Sequence, residues 1–180
     1  MVYMFLGTGF EETEAIAPLD LLRRAGVEVK TVGLNGKIIT GSHGIGVVAD
    51  MEIADLDVSD AEMVILPGGL GGVASIRACK SAMEAIEQFW KAGKFCAAIC
   101  AGPTVLADLG ITAHKRATCY PGCEGGMGSA NVLPDAPCTR DGKLITGASA
   151  GCAISFGLAL IAALKGQEAA DTVKQQIVIR

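Results

Sequence analysis

The chain has 180 residues, 51% of them hydrophobic, and its 15 basic and 19 acidic side chains give a formal net charge of −4. This length is typical of one domain, and the apolar content is sufficient for a buried core, which excludes a disordered chain. The acidic balance offers no basic surface, so we expect neither nucleic acid nor a membrane as a direct partner. We expect no secretory leader, and the odd number of seven cysteines predicts reduced thiols and a cytoplasmic location.

Short apolar runs alternate with amphipathic stretches of helix length, which is typical of helices packed on both faces of a mostly parallel sheet. We therefore predict a single α/β sandwich domain over residues 1–180. In chain order the predicted elements are strand 2–6, helix 13–25, strand 27–32, a hairpin of 37–40 and 45–48 appended to the main sheet, strand 63–66, helix 81–92, strand 95–99, helix 103–109, a long loop over 120–131 with one short helix, strand 143–146, and helices 154–164 and 168–175.

Sites in open α/β sheets lie at the carboxyl ends of strands, and the strongest candidate there is Cys100. It follows strand 95–99 and has small residues, Ala98 and Gly102, two positions away on either side. This pattern is typical of a nucleophile elbow, in which a tight turn brings the neighbouring backbone close. A thiol at the start of a helix is expected to have a lowered pKa and to be nucleophilic. The alternative is a buried core cysteine, which is how we interpret Cys96.

Two other strand ends carry possible partners for this cysteine. Gly68 and Gly69 follow strand 63–66, where their amides form either half of an oxyanion hole or only a tight turn. Glu14 lies one turn into the first helix. It is either a solvated acid, as we interpret Glu11 and Glu12, or an inward-pointing carboxyl with a raised pKa that donates a hydrogen bond to a thiolate or acts as a general acid and base.

Several ordered motifs make the chain similar to the DJ-1/PfpI superfamily, within its DJ-1/ThiJ/YajL branch. The motifs span nearly the whole chain and are Gly9–Glu14, Leu22–Gly26, Leu66–Gly69, Ala97–Pro103 and Ser155-Phe156. The resemblance implies a flavodoxin-like sandwich of the class I glutamine amidotransferase-like kind that forms a homodimer. It also implies an easily oxidised Cys100, a protonated Glu14 hydrogen-bonded to it, and backbone amides of Gly69 and Ala101 around the reactive centre.

One position departs from the pattern of this family. Many members have a histidine near the cysteine, whereas this chain has Tyr120 in the segment Thr118-Cys119-Tyr120-Pro121. A Cys–His pair is therefore not predicted. Tyr120 either lines the pocket and supplies a hydroxyl or only packs there.

The remaining cysteines and the two histidines carry weaker expectations. Cys119 is either a resolving thiol for an oxidised Cys100 or core filler, and whether Cys119 or Cys123 pairs with another thiol is left open. We interpret His43 and His114 as surface residues, because no second ligand has a metal-site spacing to either. No metal and no other cofactor is predicted.

The leading functional hypothesis is a stress-response enzyme acting on a small carbonyl substrate, as a glyoxalase or deglycase of methylglyoxal-type dicarbonyls or their glycation adducts. The Cys100 thiolate attacks the aldehyde carbon, Glu14 shuttles protons, and the amides of Gly69 and Ala101 stabilise the oxyanion. One alternative is a non-enzymatic redox sensor or chaperone in which Cys100 oxidises to a sulfinate. Another is a peptidase like those of the PfpI branch, which the missing histidine disfavours.

Overall fold

A seven-stranded sheet with helices on both faces organises the computed structural model, which describes residues 1–179 of the chain. Arg180, the last residue of the predicted domain, lies outside the described residues. The strands are β1 (Val2–Leu6), β2 (Val29–Gly33), β3 (Ile38–Thr40), β4 (Gly46–Val48), β5 (Met51–Glu52), β6 (Met63–Leu66), β7 (Phe95–Ile99), β8 (Arg116–Ala117), β9 (Asn131–Val132), β10 (Cys138–Asp141) and β11 (Leu144–Gly147). The helices are α1 (Glu12–Arg24), α2 (Leu70–Ala78), α3 (Lys80–Lys91), α4 (Pro103–Asp108), α5 (Ala153–Lys165) and α6 (Gln167–Gln176).

The strand order of the main sheet is β10-β11-β7-β6-β1-β2-β5, and all its strands run parallel except the edge strand β10. This is the predicted flavodoxin-like sandwich. From β1 the chain proceeds to β2 on one side and later returns to β6 on the other side. Ligands of such sheets bind at the carboxyl ends of strands where the order reverses, which here is the edge between β1 and β6.

The sheet separates two hydrophobic cores because successive side chains of a strand point to opposite faces. In β1, Tyr3 and Phe5 pack in the core beneath α2, α3 and α4, while Val2, Met4 and Leu6 pack in the core beneath α1, α5 and α6. All five are buried. Strands covered on both faces have continuous apolar sequences, which is why β1, β6 and β7 are predicted to the residue. No helix within residues 1–179 combines the length and apolar character needed to cross a membrane.

The structure differs from the prediction at the hairpin β3–β4, at helix α2 and at the short strands β5, β8, β9 and β10. The hairpin β3–β4 is a separate two-stranded sheet and is not paired to the main one. The edge strands β5 and β10 were not predicted because they are short or largely polar. Helix α2 was not predicted either, since Gly71 and Gly72 lower the helix propensity of its first turn. The loop over 120–131 contains a short 3₁₀ helix, Glu124–Gly126, as expected.

Close backbone contact explains the glycine in the first turn of α2. A Cβ on Gly72 would lie 2.7 Å from the Cα and 2.9 Å from the N of Phe10. The loop after β1 therefore packs directly on the helix backbone. Because this loop leads into α1, the contact fixes the distance between α1 and α2 at the carboxyl edge of the sheet.

We expect Gly72→Ala to lower the free energy of unfolding by about 2 kcal/mol because the added methyl group displaces the Phe10 backbone. In an open helix the same change stabilises by about 1 kcal/mol, so the sign of the effect is diagnostic. Urea unfolding measures it. The matched control is Gly125→Ala, where a Cβ meets nothing within 4 Å. A Gly72→Ala protein as stable as the wild type would contradict the close contact.

Candidate active site at the carboxyl edge of the sheet

Cys100 follows β7 directly and has a φ of 64°, in the left-handed region that non-glycine residues rarely adopt. Its N–H donates to the carbonyl of Gly147 at 2.9 Å, and its carbonyl accepts the N–H of Tyr120 at 2.8 Å. A Cβ on Gly102 would lie 2.7 Å from the carbonyl oxygen of Leu66, so only glycine fits there. The backbone has the strained, crowded geometry of the predicted elbow.

Glu14 points inward from the first turn of α1 and is only 1% exposed. Its Oε2 accepts the N–H of Gly68 at 2.9 Å, and its carboxyl is hydrogen-bonded to the side chain of Cys100. A Cβ on Gly68 would overlap both the carboxyl of Glu14 and the side chain of Cys100. The missing side chain of Gly68 therefore leaves the space in which acid and thiol meet.

The environment of Glu14 favours its neutral form. Burial raises the pKa of Glu14 to about 7, although the hydrogen bonds with Cys100 and Gly68 act in the opposite direction. The charge of Glu11 adds to the increase. The inward-pointing carboxyl with a raised pKa, one of the two alternatives for Glu14, is the one present in the structure.

The sequence predicts a lowered pKa for Cys100. This prediction is wrong when the neighbouring Glu14 is ionised. Burial and then the charge of Glu14 raise the pKa of Cys100 to about 12, while the amides of Ala101 and Gly69 lower it. The effect of Glu14 depends on its own proton, because an ionised carboxylate repels a thiolate whereas a neutral carboxyl can donate a hydrogen bond to it. The pair therefore favours one negative charge shared between two groups.

The N–H groups of Gly69 and Ala101 face the sulfur of Cys100 and act to lower its pKa. Gly69 has a φ of 83°, and a Cβ there would collide with the carbonyl oxygen of Gly9. A left-handed glycine at the end of β6 therefore turns its amide toward the end of β7. The amides of Gly69 and Ala101 thus both face Cys100, and their role as oxyanion donors stays a prediction.

A cavity of about 570 Å³ opens at the Cys100–Glu14 pair. Its walls come from the ends of the strands, the start of α1, the loop after Cys100 and the hairpin β3–β4. The lining residues are Glu11, Glu14, His43, Gly69, Leu70, Cys100, Ala101, Tyr120, Cys123, Ser149, Ala150 and Gly151.

The loop after Cys100 contributes differently from what the sequence indicates. Tyr120 lines the cavity and is 49% exposed, which favours its interpretation as a pocket residue. Cys119 is 2% exposed and packs in the core, and burial raises its pKa to about 11. Of the two alternatives for Cys119, the structure favours core filler, and the loop cysteine that lines the cavity is Cys123. All seven cysteines are free thiols.

Sequence reasoning missed the wall formed by Ser149, Ala150 and Gly151. These residues follow β11, which lies parallel beside β7, so they share the carboxyl edge with Cys100. The rule that places sites at strand ends applies to this fourth strand as well and could have found them. The amide of Ala150 also faces the carboxyl of Glu14 and acts to lower its pKa.

His43 is exposed, as expected, but it is not an isolated surface residue. Its Nδ1 lies 2.9 Å from Oε2 of Glu12, and its backbone N–H donates to Oε1 at 2.8 Å. Glu12, expected to be solvated, is only 6% exposed. The contact joins residues 31 apart in sequence, across a hairpin that does not pair with the main sheet, so no local spacing could predict it.

The carboxylates of Glu11 and Glu12 and the ring of His43 each present one possible metal-ligand atom, and these atoms lie within 4.8 Å of one another. The oxygens of Glu12, however, already accept N–H groups of His43 and Ile45. A metal ion would have to compete with these bonds. We assign no metal to the cluster.

Comparison with known proteins gives relatives of similar length. Protein dj-1beta of Drosophila melanogaster is 33% identical over 178 residues, which are 98% of this chain and 95% of that protein. Its crystal structure matches with a TM-score of 0.95 at 32% identity and covers 99% of this chain and 97% of that one.

Two further relatives carry names of enzymes. A glutathione-independent glyoxalase of Caenorhabditis elegans is 32% identical over 165 residues, which are 91% of this chain and 87% of that protein. A deglycase of Pyrococcus abyssi is 32% identical over 138 residues, 76% of this chain and 82% of that protein. The family model described as DJ-1/PfpI family matches residues 1–163, and with these relatives it establishes that the chain belongs to the DJ-1/PfpI family.

Proposed function

We propose that the protein is a cofactor-independent glyoxalase or deglycase acting on small 1,2-dicarbonyls of the methylglyoxal type or on their early glycation adducts. The observation that carries the proposal is the buried carboxyl of Glu14 against the thiol of Cys100, at a strained turn that opens into a cavity of about 570 Å³. Relatives named as a glyoxalase and a deglycase, each 32% identical to this chain, support it.

The first step of the proposed reaction forms a covalent adduct with Cys100. Its thiolate attacks the aldehyde carbon, the carbonyl electron pair moves to oxygen, and that oxygen takes the proton of neutral Glu14. The N–H groups of Gly69 and Ala101, which face the sulfur, stabilise the oxygen as it gains charge. The chain itself thus supplies the nucleophile, the acid and the oxyanion donors.

A second candidate function, signalling through oxidation, uses the same cysteine. Glu14 and the two amides of Gly69 and Ala101 are donors that would also hold a sulfinate on Cys100. Mass spectrometry after mild peroxide treatment separates the two functions. Modification confined to Cys100 together with negligible dicarbonyl turnover favours the sensor, whereas modification spread over several cysteines argues against it.

We also propose that the protein forms a homodimer, as members of this family typically do. An apolar groove of about 700 Å³ runs between α1, the hairpin and the C-terminal residues. Ile16, Ile45 and Ile154 line it and are 41%, 57% and 37% exposed. Burial of such a groove against a second copy removes this apolar surface from water.

Replacement of the nucleophile tests the proposed reaction. We expect Cys100→Ala and Cys100→Ser to lower kcat/KM for methylglyoxal by about 10³-fold or more, and Glu14→Gln by about 10²-fold, because each removes a group that acts in the adduct-forming step. Lactate formation measures turnover. The control is Cys79→Ala, whose thiol does not line the cavity in the described part of the chain. Full activity in Cys100→Ala would exclude the mechanism.

The raised pKa of Glu14 gives a stability signature with a definite sign. A carboxyl with a pKa of about 7 in the folded protein and 4.5 when unfolded binds its proton more tightly in the folded state. Its contribution to stability is present below pH 4.5 and is lost as the pH rises toward 7.

We therefore compare Cys100→Ala with Cys100→Ala/Glu14→Gln, so that the carboxyl titrates without its thiol partner. From about pH 4.5 to 7, the free energy of unfolding of the first protein should fall by about 3 kcal/mol relative to the second. Urea unfolding at several pH values measures the difference, in which other titrating groups cancel. A difference that stays constant over this range would show that Glu14 is not protonated in the folded protein.

For the dimer, we expect Ile16→Glu to shift the protein to a monomer in sedimentation velocity, because it places a charge in the apolar groove. Leu133→Glu is the matched control, since Leu133 is 38% exposed and does not line this groove. A wild-type protein that sediments as a monomer, or an Ile16→Glu protein that remains dimeric, would overturn this interface.

A further inference from the structure

The imidazole of His43 is among the cavity groups to which the proposed reaction gives no role. The ring lines the same cavity as Cys100 and Glu14. It comes from the turn of the hairpin β3–β4 and not from the segment 118–121 that holds Tyr120. The other histidine, His114, does not line this cavity.

A buried carboxylate holds this ring in place. Glu12 accepts N–H groups of His43 and Ile45 and lies 3.2 Å from the hydroxyl of Ser42. Although burial acts to raise it, these bonds lower the pKa of Glu12 to about 2, so the carboxylate stays ionised at neutral pH. The hairpin turn is thereby fixed to the start of α1, and the position of the His43 ring is fixed with it.

The contacts of the ring leave one nitrogen for chemistry. Within residues 1–179, the hydrogen bonds of the ring are made by Nδ1, to Glu12 at 2.9 Å and to Ser42 at 3.1 Å. An imidazole whose Nδ1 faces a carboxylate gives and takes protons at Nε2. The hydrogen bond and charge of Glu12 raise the pKa of His43, and the charge of Glu11 adds to this, so these neighbours favour the protonated ring.

We propose that His43, oriented by Glu12, is the catalytic acid that protonates the second carbonyl oxygen of a 1,2-dicarbonyl whose first carbonyl carbon is bound to Cys100. This inference rests on the proposed function. It also implies that the hairpin makes the enzyme selective for dicarbonyls over simple aldehydes, because a simple aldehyde has no second carbonyl oxygen for His43 to protonate.

The proton transfers balance without an oxidant or reductant. After Cys100 has bound C1 and Glu14 has protonated the C1 oxygen, the Glu14 carboxylate removes the hydrogen of C1. The electron pair of that C–H bond forms a C1=C2 double bond, and the C2 carbonyl pair moves to oxygen, which takes the Nε2 proton of His43. The product of this step is an enediol bound to sulfur.

The enediol then collapses to a thioester. Its C1 hydroxyl returns a proton to Nε2 of His43, the C1 carbonyl re-forms, and the C1=C2 electron pair takes the proton of Glu14 at C2. Water attacks the thioester carbon and gives one proton to the Glu14 carboxylate, and the C1–S bond breaks with its electron pair on sulfur, which releases a 2-hydroxy acid and restores the thiolate of Cys100. The sum is dicarbonyl plus water giving a 2-hydroxy acid, and both acids end in the protonation states in which they began.

A purely structural role for His43, as a clasp of the hairpin turn, makes different predictions. His43→Asn preserves a donor near the position of Nδ1 for Glu12 but has no counterpart of Nε2. A structural role that depends on the hydrogen bond of Nδ1 is retained in His43→Asn, whereas a role as the acid at Nε2 is lost. The matched control is His114→Asn, which alters the histidine outside the cavity.

The experiment compares wild type, His43→Asn, His43→Ala and His114→Asn. For His43→Asn we expect kcat for methylglyoxal to fall by about 10²-fold or more. Its capture of a simple aldehyde by Cys100, measured as loss of free thiol, should be unchanged, as should its melting temperature and sedimentation. Added imidazole should restore part of the turnover of His43→Ala, because the 69% exposed side chain leaves a site open to solvent.

Each outcome decides the matter. Full methylglyoxal turnover in His43→Asn, or no rescue of His43→Ala by imidazole, overturns the role of His43 while the activity lost in Cys100→Ala still supports the proposed function. A His43→Asn protein that also loses aldehyde capture shows a structural role only. Should Tyr120→Phe lose turnover while His43→Asn retains it, the tyrosine is the acid. Wild type without dicarbonyl turnover overturns the proposed function and this inference with it.

Discussion

The site depends on placing a carboxyl and a thiol in contact inside the protein. Two ionised groups cannot share this space, because burial raises the pKa of both Glu14 and Cys100 and the charge of Glu14 raises that of Cys100 further. One proton retained by the pair removes the repulsion and leaves a donor beside an acceptor. The contact requires a residue without a side chain at position 68, since a Cβ on Gly68 would overlap both partners. The reactivity of the cysteine therefore follows from backbone packing as much as from its own turn.

The sheet brings these groups together from distant parts of the chain. Glu14 comes from the helix after β1, Gly68 from the end of β6 and Cys100 from the end of β7, and these three strands are neighbours in one parallel array. Their carboxyl ends share an edge, so three short turns converge. The two cores make this edge of the sheet rigid. The three strands are fully buried between them, and the turns are held in place by the strands that they follow.

Much of this arrangement can be predicted from the sequence, and the limits are physical. Apolar runs identify buried strands, and small residues around Cys100 reveal a crowded turn, so the strand-end groups are found. Helix α2 could not be predicted, because its glycines are explained by close tertiary packing against Phe10, which overrides helix propensity. The pKa of Cys100 could not be predicted, because it depends on Glu14, which is 86 positions away in sequence, and on whether Glu14 carries its proton. Cys119 points into the core and Cys123 lines the cavity, and this difference depends on the conformation of the loop that carries them.

Glu12 and Glu14 show why residue type alone could not assign roles in the first turn of α1. Both carboxyls are buried, yet the pKa of Glu12 is lowered to about 2 and that of Glu14 is raised to about 7. Glu12 meets several donors of the hairpin, whereas Glu14 meets few donors and a thiol that shares its proton. Carboxyls whose pKa values are driven apart are suited to different work. The permanent anion can orient and charge an imidazole, and the neutral acid can give its proton to a bound carbonyl, so one helix turn is suited to two different tasks.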